Sequence, residues 1–346
     1  MIEARSSNGP IIDVRNLVKV YGGGRKEEVR AVDDVSFSVE EGEFFGFLGP
    51  NAAGKSTTIK VITTLLAKTS GKVTVAGHDV DRKGAAIRRL IGYTGQSVGV
   101  DGDLTGRENL GFIGRLYHMP GELLHDRVEE LLSVLQLTDS ADRRANTYSG
   151  GMRRRLDLGA GLVNHPQLLF LDEPTTGLDP QTRNAVWEYL RKLHKDEGTT
   201  IFLTTQYMEE ADRLCQHLAI IDYGKIVAEG SPEKLKAAIG ADVVTIRLVR
   251  DDRFDENQKR ALSVIERAQG VTRATTFDEG VSVQADNAGA TLLEIMRLLD
   301  AEKIPLNQVA LSHPTLDEVF LEHTGRAMRA EEVKPVSRMG PGMRRR

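Results

Sequence analysis

The chain has 346 residues, 28% of them charged, with a formal net charge of −4 and a pI near 6.1. That length favours one large domain plus a smaller one, and the acidic balance lacks the excess positive charge on which a nucleic-acid binder depends. A single cysteine, Cys215, rules out an intrachain disulfide and reads as a packed thiol in a reducing compartment.

The stretch Met1 to Pro10 is polar where a signal peptide needs an apolar core, and residues 1–10 are expected to be disordered. From Ile11 to about Gly230 short apolar runs alternate with helical patterns, as in an α/β domain with a largely parallel sheet. The runs are Glu43 to Leu48, Leu168 to Leu171, Thr200 to Leu203 and Leu218 to Ile221, apolar nearly throughout as doubly covered strands are. A strand-like Ile91 to Gly95 precedes a helical insertion at about 104–147, carried by helices at Glu108 to Tyr117 and Glu122 to Leu135.

Pro232 opens a helix that stops at Gly240, which places the end of the first domain at 239. Residues 240–325 read as a small α+β domain with a strand at 243–248, a helix at 256–268, a strand pair around 278–280 and a helix at 290–301. The tail, 326–346, is rich in Arg, Gly and Pro and reads as disordered and basic. No run approaches the roughly 18 to 20 apolar residues that span a bilayer, so a membrane role calls for a partner.

Gly49-Pro50-Asn51-Ala52-Ala53-Gly54-Lys55-Ser56-Thr57 fits G-x-x-x-x-G-K-[ST] between a strand and a helix expected over Ser56 to Leu66. Such a loop turns backbone N–H groups onto phosphates, and the following helix dipole adds its attraction. In that role Lys55 reaches the β- and γ-phosphates, Ser56 is a ligand of Mg²⁺, and Thr57 assists at the α-phosphate. Asp172 and Glu173 end an apolar strand, with Asp172 suited to Mg²⁺ and Glu173 to deprotonating the attacking water. Tyr148-Ser149-Gly150-Gly151-Met152 puts a hydroxyl and two glycines at a second helix start, able to grip a γ-phosphate.

The last motif resembles the ABC signature. The resemblance implies a P-loop ABC nucleotide-binding domain, a RecA-like core with antiparallel β and helical subdomains. It also implies that the signature of one subunit closes on ATP held by another, in a head-to-tail homodimer. In the same family Tyr21 resembles the aromatic that stacks on adenine, worth roughly 1 to 3 kcal/mol. Gln96 resembles the Q-loop glutamine that contacts Mg²⁺ and water, and Asp179 in Gly177-Leu178-Asp179 the D-loop acid.

Arg153-Arg154-Arg155-Leu156-Asp157, Thr204 to Asp212 and Leu316 to Leu321 are similar to the daunorubicin-resistance ATP-binding subunits. That implies an ATPase translocase for a drug, antibiotic or lipid-like substrate, peripheral on the cytoplasmic face of the membrane. The expected assembly is two ATPase subunits with two copies of a separate permease, whose cytoplasmic helices meet the helical insertion and the Q-loop.

Gln206 stands where most ABC cassettes carry histidine; its amide can still donate to phosphate but cannot hold a proton charge. Ala52 replaces a common glycine and adds strain if that position needs positive φ, and Met152 replaces the usual glutamine. Two rival readings are a soluble ABC ATPase acting on nucleic acid, against which stand one compact cassette and an acidic chain, and a nucleotide-gated clamp without turnover. The small second domain fits a dimer stabiliser, a cover for the permease interface or a structural appendage.

Overall fold

The computed structural model describes residues 9–23, 26–96, 99–239, 242–285, 288–312 and 314–325. In chain order the first part contains β1 (Ile12–Gly23), β2 (Lys26–Val39), β3 (Phe44–Leu48), α1 (Lys55–Ile62), β4 (Ser70–Val75), β5 (His78–Asp79), α2 (Gly84–Leu90) and β6 (Ile91–Thr94). The helical insertion supplies α3 (Gly106–Leu116) and α4 (Gly121–Val134). After it come α5 (Gly150–Leu162), β7 (Leu168–Asp172), α6 (Pro180–Glu197), β8 (Thr200–Thr205), α7 (Met208–Leu214), β9 (His217–Asp222), β10 (Lys225–Gly230) and α8 (Pro232–Ile239).

The runs read from sequence as doubly covered strands form the centre of a six-stranded sheet, ordered β10-β9-β3-β8-β7-β6 and parallel except for β10. Every residue of β3, β7 and β8 is buried, as strands with helices on both faces must be. Their register pairs Leu48 with Thr205 and Asp172 with Thr204. The carboxyl tips of the three strands therefore end at one edge, where ligands of open α/β sheets bind.

A second, antiparallel sheet, β2-β1-β4-β5, packs across the first. Phe37 of β2 stacks on Phe45 and meets Phe47, each at 5.4 Å, and Phe45 lies 5.4 Å from Phe202 of β8. Aromatic pairs at such separations add stabilisation beyond the area they bury. Helix α1 ends at Ile62, four residues short of the sequence expectation. Thr63 turns its hydroxyl back to the Ile59 carbonyl, and Thr64 reverses the chain at φ 64°, a left-handed position no helix continues through.

The second part contains β11 (Asp242–Leu248), α9 (Phe254–Ile265), β12 (Val271–Phe277), β13 (Gly280–Ala285), α10 (Ala288–Ala301), β14 (Leu306–Ser312) and α11 (Leu316–Thr324). The strands form an antiparallel sheet ordered β12-β13-β11-β14, with α9 and α10 packed against it, the split β-α-β topology. Helix α11 leaves this unit: Leu316, Val319 and Phe320 bury into the core of the first part, against α7, α8 and β10. Thr315 and Glu318 close a capping box that fixes where α11 starts. The tail 326–346 and residues 1–8 lie outside the described residues.

Candidate nucleotide-binding site

The loop from Gly49 to Gly54 is tied at both ends. Gly49 N–H donates to the Thr205 carbonyl at 3.1 Å, and Gly224 N–H donates to the Ala53 carbonyl at 2.9 Å. Gly54, at φ 110°, starts α1 so close to the preceding sheet that a Cβ would stand 2.5 Å from the Ala31 carbonyl, which explains a glycine there. Ala52 adopts φ 63°, so the position does require the left-handed region that an alanine enters only at a cost. Asn51 and Ala52 are exposed and Ala53 is buried.

Lys55 is 3% exposed, and its ammonium donates to the Gly49 and Pro50 carbonyls at 2.8 and 2.9 Å. It also lies 3.1 Å from Glu173 Oε1. Burial pulls the Lys55 pKa below its ordinary value, while Glu173 and Asp172 oppose the shift. A cation desolvated in this way is a strong partner for phosphate oxygens.

The two neighbouring acids diverge. Asp172 Oδ1 accepts from Thr204 Oγ1 at 2.6 Å and from Ser56 Oγ at 3.1 Å. Glu173 adopts φ 49° and points elsewhere: besides Lys55, its carboxylate accepts from Gln96 Nε2 and from Thr176 Oγ1, each at 3.3 Å. A non-glycine residue held at positive φ is the kind of strain that concentrates at functional sites. Gln96, at the end of the β6 edge, is exposed and reaches in from the cavity wall.

Lys55, Ser56, Thr57, Gln96 and Glu173 line a cavity of about 600 Å³ that Tyr21 also lines. The Tyr21 hydroxyl is 3.4 Å from Thr57 Oγ1, and Lys19 lies over its ring. Gln206 follows β8 directly, one residue beyond the carbonyl that ties down Gly49. Sequence reasoning missed Thr204, which orients Asp172, and Tyr223, exposed on the β9–β10 turn at the cavity wall. A threonine pair ending an apolar strand and the Asp222-Tyr223-Gly224 turn were the available signals.

Ser149, Gly150, Gly151, Met152 and Asp179 are not among the residues of that cavity. Ser149 caps α5, its hydroxyl accepting from Met152 N–H at 3.2 Å. Asp179 caps α6 by accepting from the Thr182 N–H and hydroxyl, bonds that hold its carboxyl below the usual range. A Cβ on Gly151 would stand 2.3 Å from Thr182 Cγ2, so the two helix starts share one face of the chain. Within one chain, then, the motif Ser149 to Met152 lies outside the cavity that Asn51, Lys55 and Ser56 line.

Residues 32–176 match the ABC transporter family, and residues 230–324 match the C-terminal domain of DrrA1-3-like ATP-binding proteins. The chain is 44% identical over 315 residues to the daunorubicin/doxorubicin resistance ATP-binding protein DrrA of Streptomyces peucetius, covering 91% of this chain and 92% of that one. It belongs to the ABC transporter ATP-binding proteins. DrrA2 of Streptomyces coeruleorubidus, a daunorubicin resistance ATP-binding protein, is 41% identical over 328 residues, or 94% of this chain and 99% of that relative. A dimeric ATP-binding cassette solved in a post-hydrolysis state with ADP and Pi superposes with a TM-score of 0.58 at 28% identity, over 64% of this chain and 98% of the cassette. This ABC subunit binds and hydrolyses ATP. No helix among its described residues is long and apolar enough to cross a membrane.

Proposed function

We propose that this ABC subunit powers export of a drug, antibiotic or lipid-like molecule through a separately encoded permease, from the cytoplasmic face of the membrane. Its resistance-type relatives over nearly the whole chain support that reading. Two copies close head to tail around two nucleotides, with two permease subunits. Residues 11–239 are the motor and 240–325 an accessory unit.

The observation that carries the chemistry is the divergence of Asp172 toward Ser56 and of Glu173 toward Lys55 and Gln96. Asp172, Ser56 and the Gln96 amide are hard oxygen donors beside a phosphate loop, and no cage of three acids, histidines or cysteines occurs among the described residues. Mg²⁺ suits such a site, since it is commonly held by one or two carboxylates together with substrate phosphates. Held there by Asp172 and Ser56, it would supply positive charge against the phosphate oxygens. Gly49 to Thr57 cradle the phosphates, and Tyr21 stacks on adenine. The γ-phosphate draws Lys55 away from Glu173, which frees that carboxylate to take the proton of the attacking water. Gln96 and Gln206 orient that water by amide hydrogen bonds. Ser149, Gly150, Gly151 and Met152, with Asp179, complete the site of the other copy.

Phosphate release with MgATP, wild type beside Glu173→Gln, tests this. The variant should bind ATP yet lose about 10²- to 10⁴-fold in kcat, the usual worth of a positioned general base. Wild-type protein that binds ATP and never turns over, even with its permease, would instead make the subunit a nucleotide-gated clamp.

A further inference from the structure

Of the three consecutive arginines on α5, Arg153 is exposed and Arg155 half-buried, whereas Arg154 is 4% exposed and points inward. Its guanidinium reaches four acceptors on three different segments. Nε donates to the Pro174 carbonyl at 2.5 Å, and NH2 to the Glu173 carbonyl at 3.3 Å. NH1 donates to the Gly95 carbonyl at 2.9 Å and to Asp157 Oδ2 at 3.0 Å. The other oxygen of Asp157 accepts the Gly99 N–H at 2.8 Å. One turn of α5 thus holds the backbone of Glu173 and grips both Gly95 and Gly99, on either side of Gln96.

Asp157 also lines a groove on this part of the molecule. With Arg88 it supplies the charged groups of a cavity of about 420 Å³ between the sheet and the helical insertion, whose other walls include Leu65, Tyr93, Ile113 and Leu116. Through Asp157 the pair therefore links that groove to the backbone of Gly95, Glu173 and Pro174. A buried arginine and carboxylate are expensive to desolvate and add little net stability over apolar side chains of similar shape. Stability alone is thus a weak reason for the pair. A rigid planar fork is suited to keeping several backbone segments in fixed relation.

We propose that Arg154 and Asp157 are positioning residues that relay occupation of this groove to Glu173 and Gln96. A permease segment entering the groove displaces Asp157, and one guanidinium carries the shift to the carbonyls of Gly95, Glu173 and Pro174. The proposal rests on the reading that the permease docks at the helical insertion.

The test is ATP turnover of the full chain, with and without its permease in lipid vesicles, for wild type, Arg154→Lys and Asp157→Asn, with Tm and KM for ATP measured alongside. Lysine keeps the charge and the ion pair but cannot span the three carbonyls. Asparagine keeps the acceptor for Gly99 and loses the ion pair. Arg154→Lys should remain folded, with KM for ATP within about twofold, and lose ten- to a hundredfold of its permease-stimulated kcat, the scale on which small misplacements of reacting groups act. Asp157→Asn should lose stimulation in the same way. Should Asp157→Asn fail to fold, Arg154→Lys decides alone. Permease stimulation of wild type with equal stimulation of Arg154→Lys overturns the relay and leaves the docking reading standing. A permease that binds but stimulates not even wild type overturns the docking reading, and the relay with it.

Discussion

The ATP-binding cassette and the split β-α-β unit that follows it fold by the same rules and are filled with different materials. Among the described residues, the cassette buries Lys55, Arg127, Arg154, Asp157, Asp172, Glu173, Glu210 and Asp222, whereas the second unit buries no charged side chain and only Asn257 and Thr291 of its polar ones. Non-glycine residues at positive φ follow the same division: among the described residues Lys303 stands alone in the second unit, while Ala52 and Glu173 both line the cavity that holds Lys55 and Ser56. Buried charge and backbone strain are costs that surrounding structure has to offset. Their concentration in the cassette is what a machine handling phosphate and protons requires, and their scarcity among the described residues next door marks a unit whose residues serve shape. Helix α11 crosses this divide, since it follows the second unit in sequence and packs in the core of the first.

The largest effect expected outside the catalytic residues probes that crossing. Phe320 is 1% exposed in the cassette core, and Phe320→Ala should cost about 3–5 kcal/mol of stability. Thr275→Ala, on the exposed β12 surface of the second unit, should stay within about 0.5 kcal/mol. Denaturant midpoints of the two variants decide the matter. A cost below 1 kcal/mol at Phe320 would mean that α11 only rests on the cassette, and the contrast between the two units would then follow the chain boundary.

The sequence carried the nucleotide loop and the parallel strands because each is local: a fixed spacing in one case, an unbroken apolar run in the other. Residues 49–57, Asp172 and Glu173 could be brought forward as candidates in this way, and Tyr21, Gln96 and Asp179 through family resemblance. What stayed hidden is created by pairing across distance. Leu316, Val319 and Phe320 read as one face of a helix, but nothing local says that α7 and α8 lie opposite. Thr204 looks like an ordinary strand residue until β8 is placed beside β7, where its hydroxyl meets Asp172. The early end of α1 depends on a single left-handed threonine, which helix periodicity does not reveal.

Glu210 belongs to the hidden class and gives the next prediction in size. It is fully buried on α7, and its Oε1 accepts from Thr175 Oγ1 and Trp187 Nε1, both at 2.8 Å. Burial raises its pKa above the ordinary 4.5, against the lowering effect of these bonds. The native state then keeps the proton to higher pH than the unfolded chain does. Stability should fall as pH rises from about 4.5 through the raised native value, by about 1.4 kcal/mol per pH unit inside that window, and level off above it. Glu210→Gln should flatten this part of the Tm–pH curve. An unchanged slope would assign it to other groups and weaken the view that the cassette tolerates buried charge at a cost in stability.

Ala52 offers the smallest effect and the cleanest separation of strain from function. At φ 63° an alanine gives up roughly 1–2 kcal/mol relative to the right-handed region. Ala52→Gly removes that cost and adds back the entropy of a looser unfolded chain, about 0.4–1 kcal/mol. The difference predicts a gain of up to about 1 kcal/mol in stability, read as a small rise in Tm. The side chain is exposed, so KM for ATP should stay within about twofold. A gain in stability with unchanged KM would mean that the strain is incidental to phosphate binding. A gain accompanied by weaker ATP binding would mean that alanine holds the loop in its bound shape, and the strain would then count, with Glu173, among the costs the cassette bears for its chemistry.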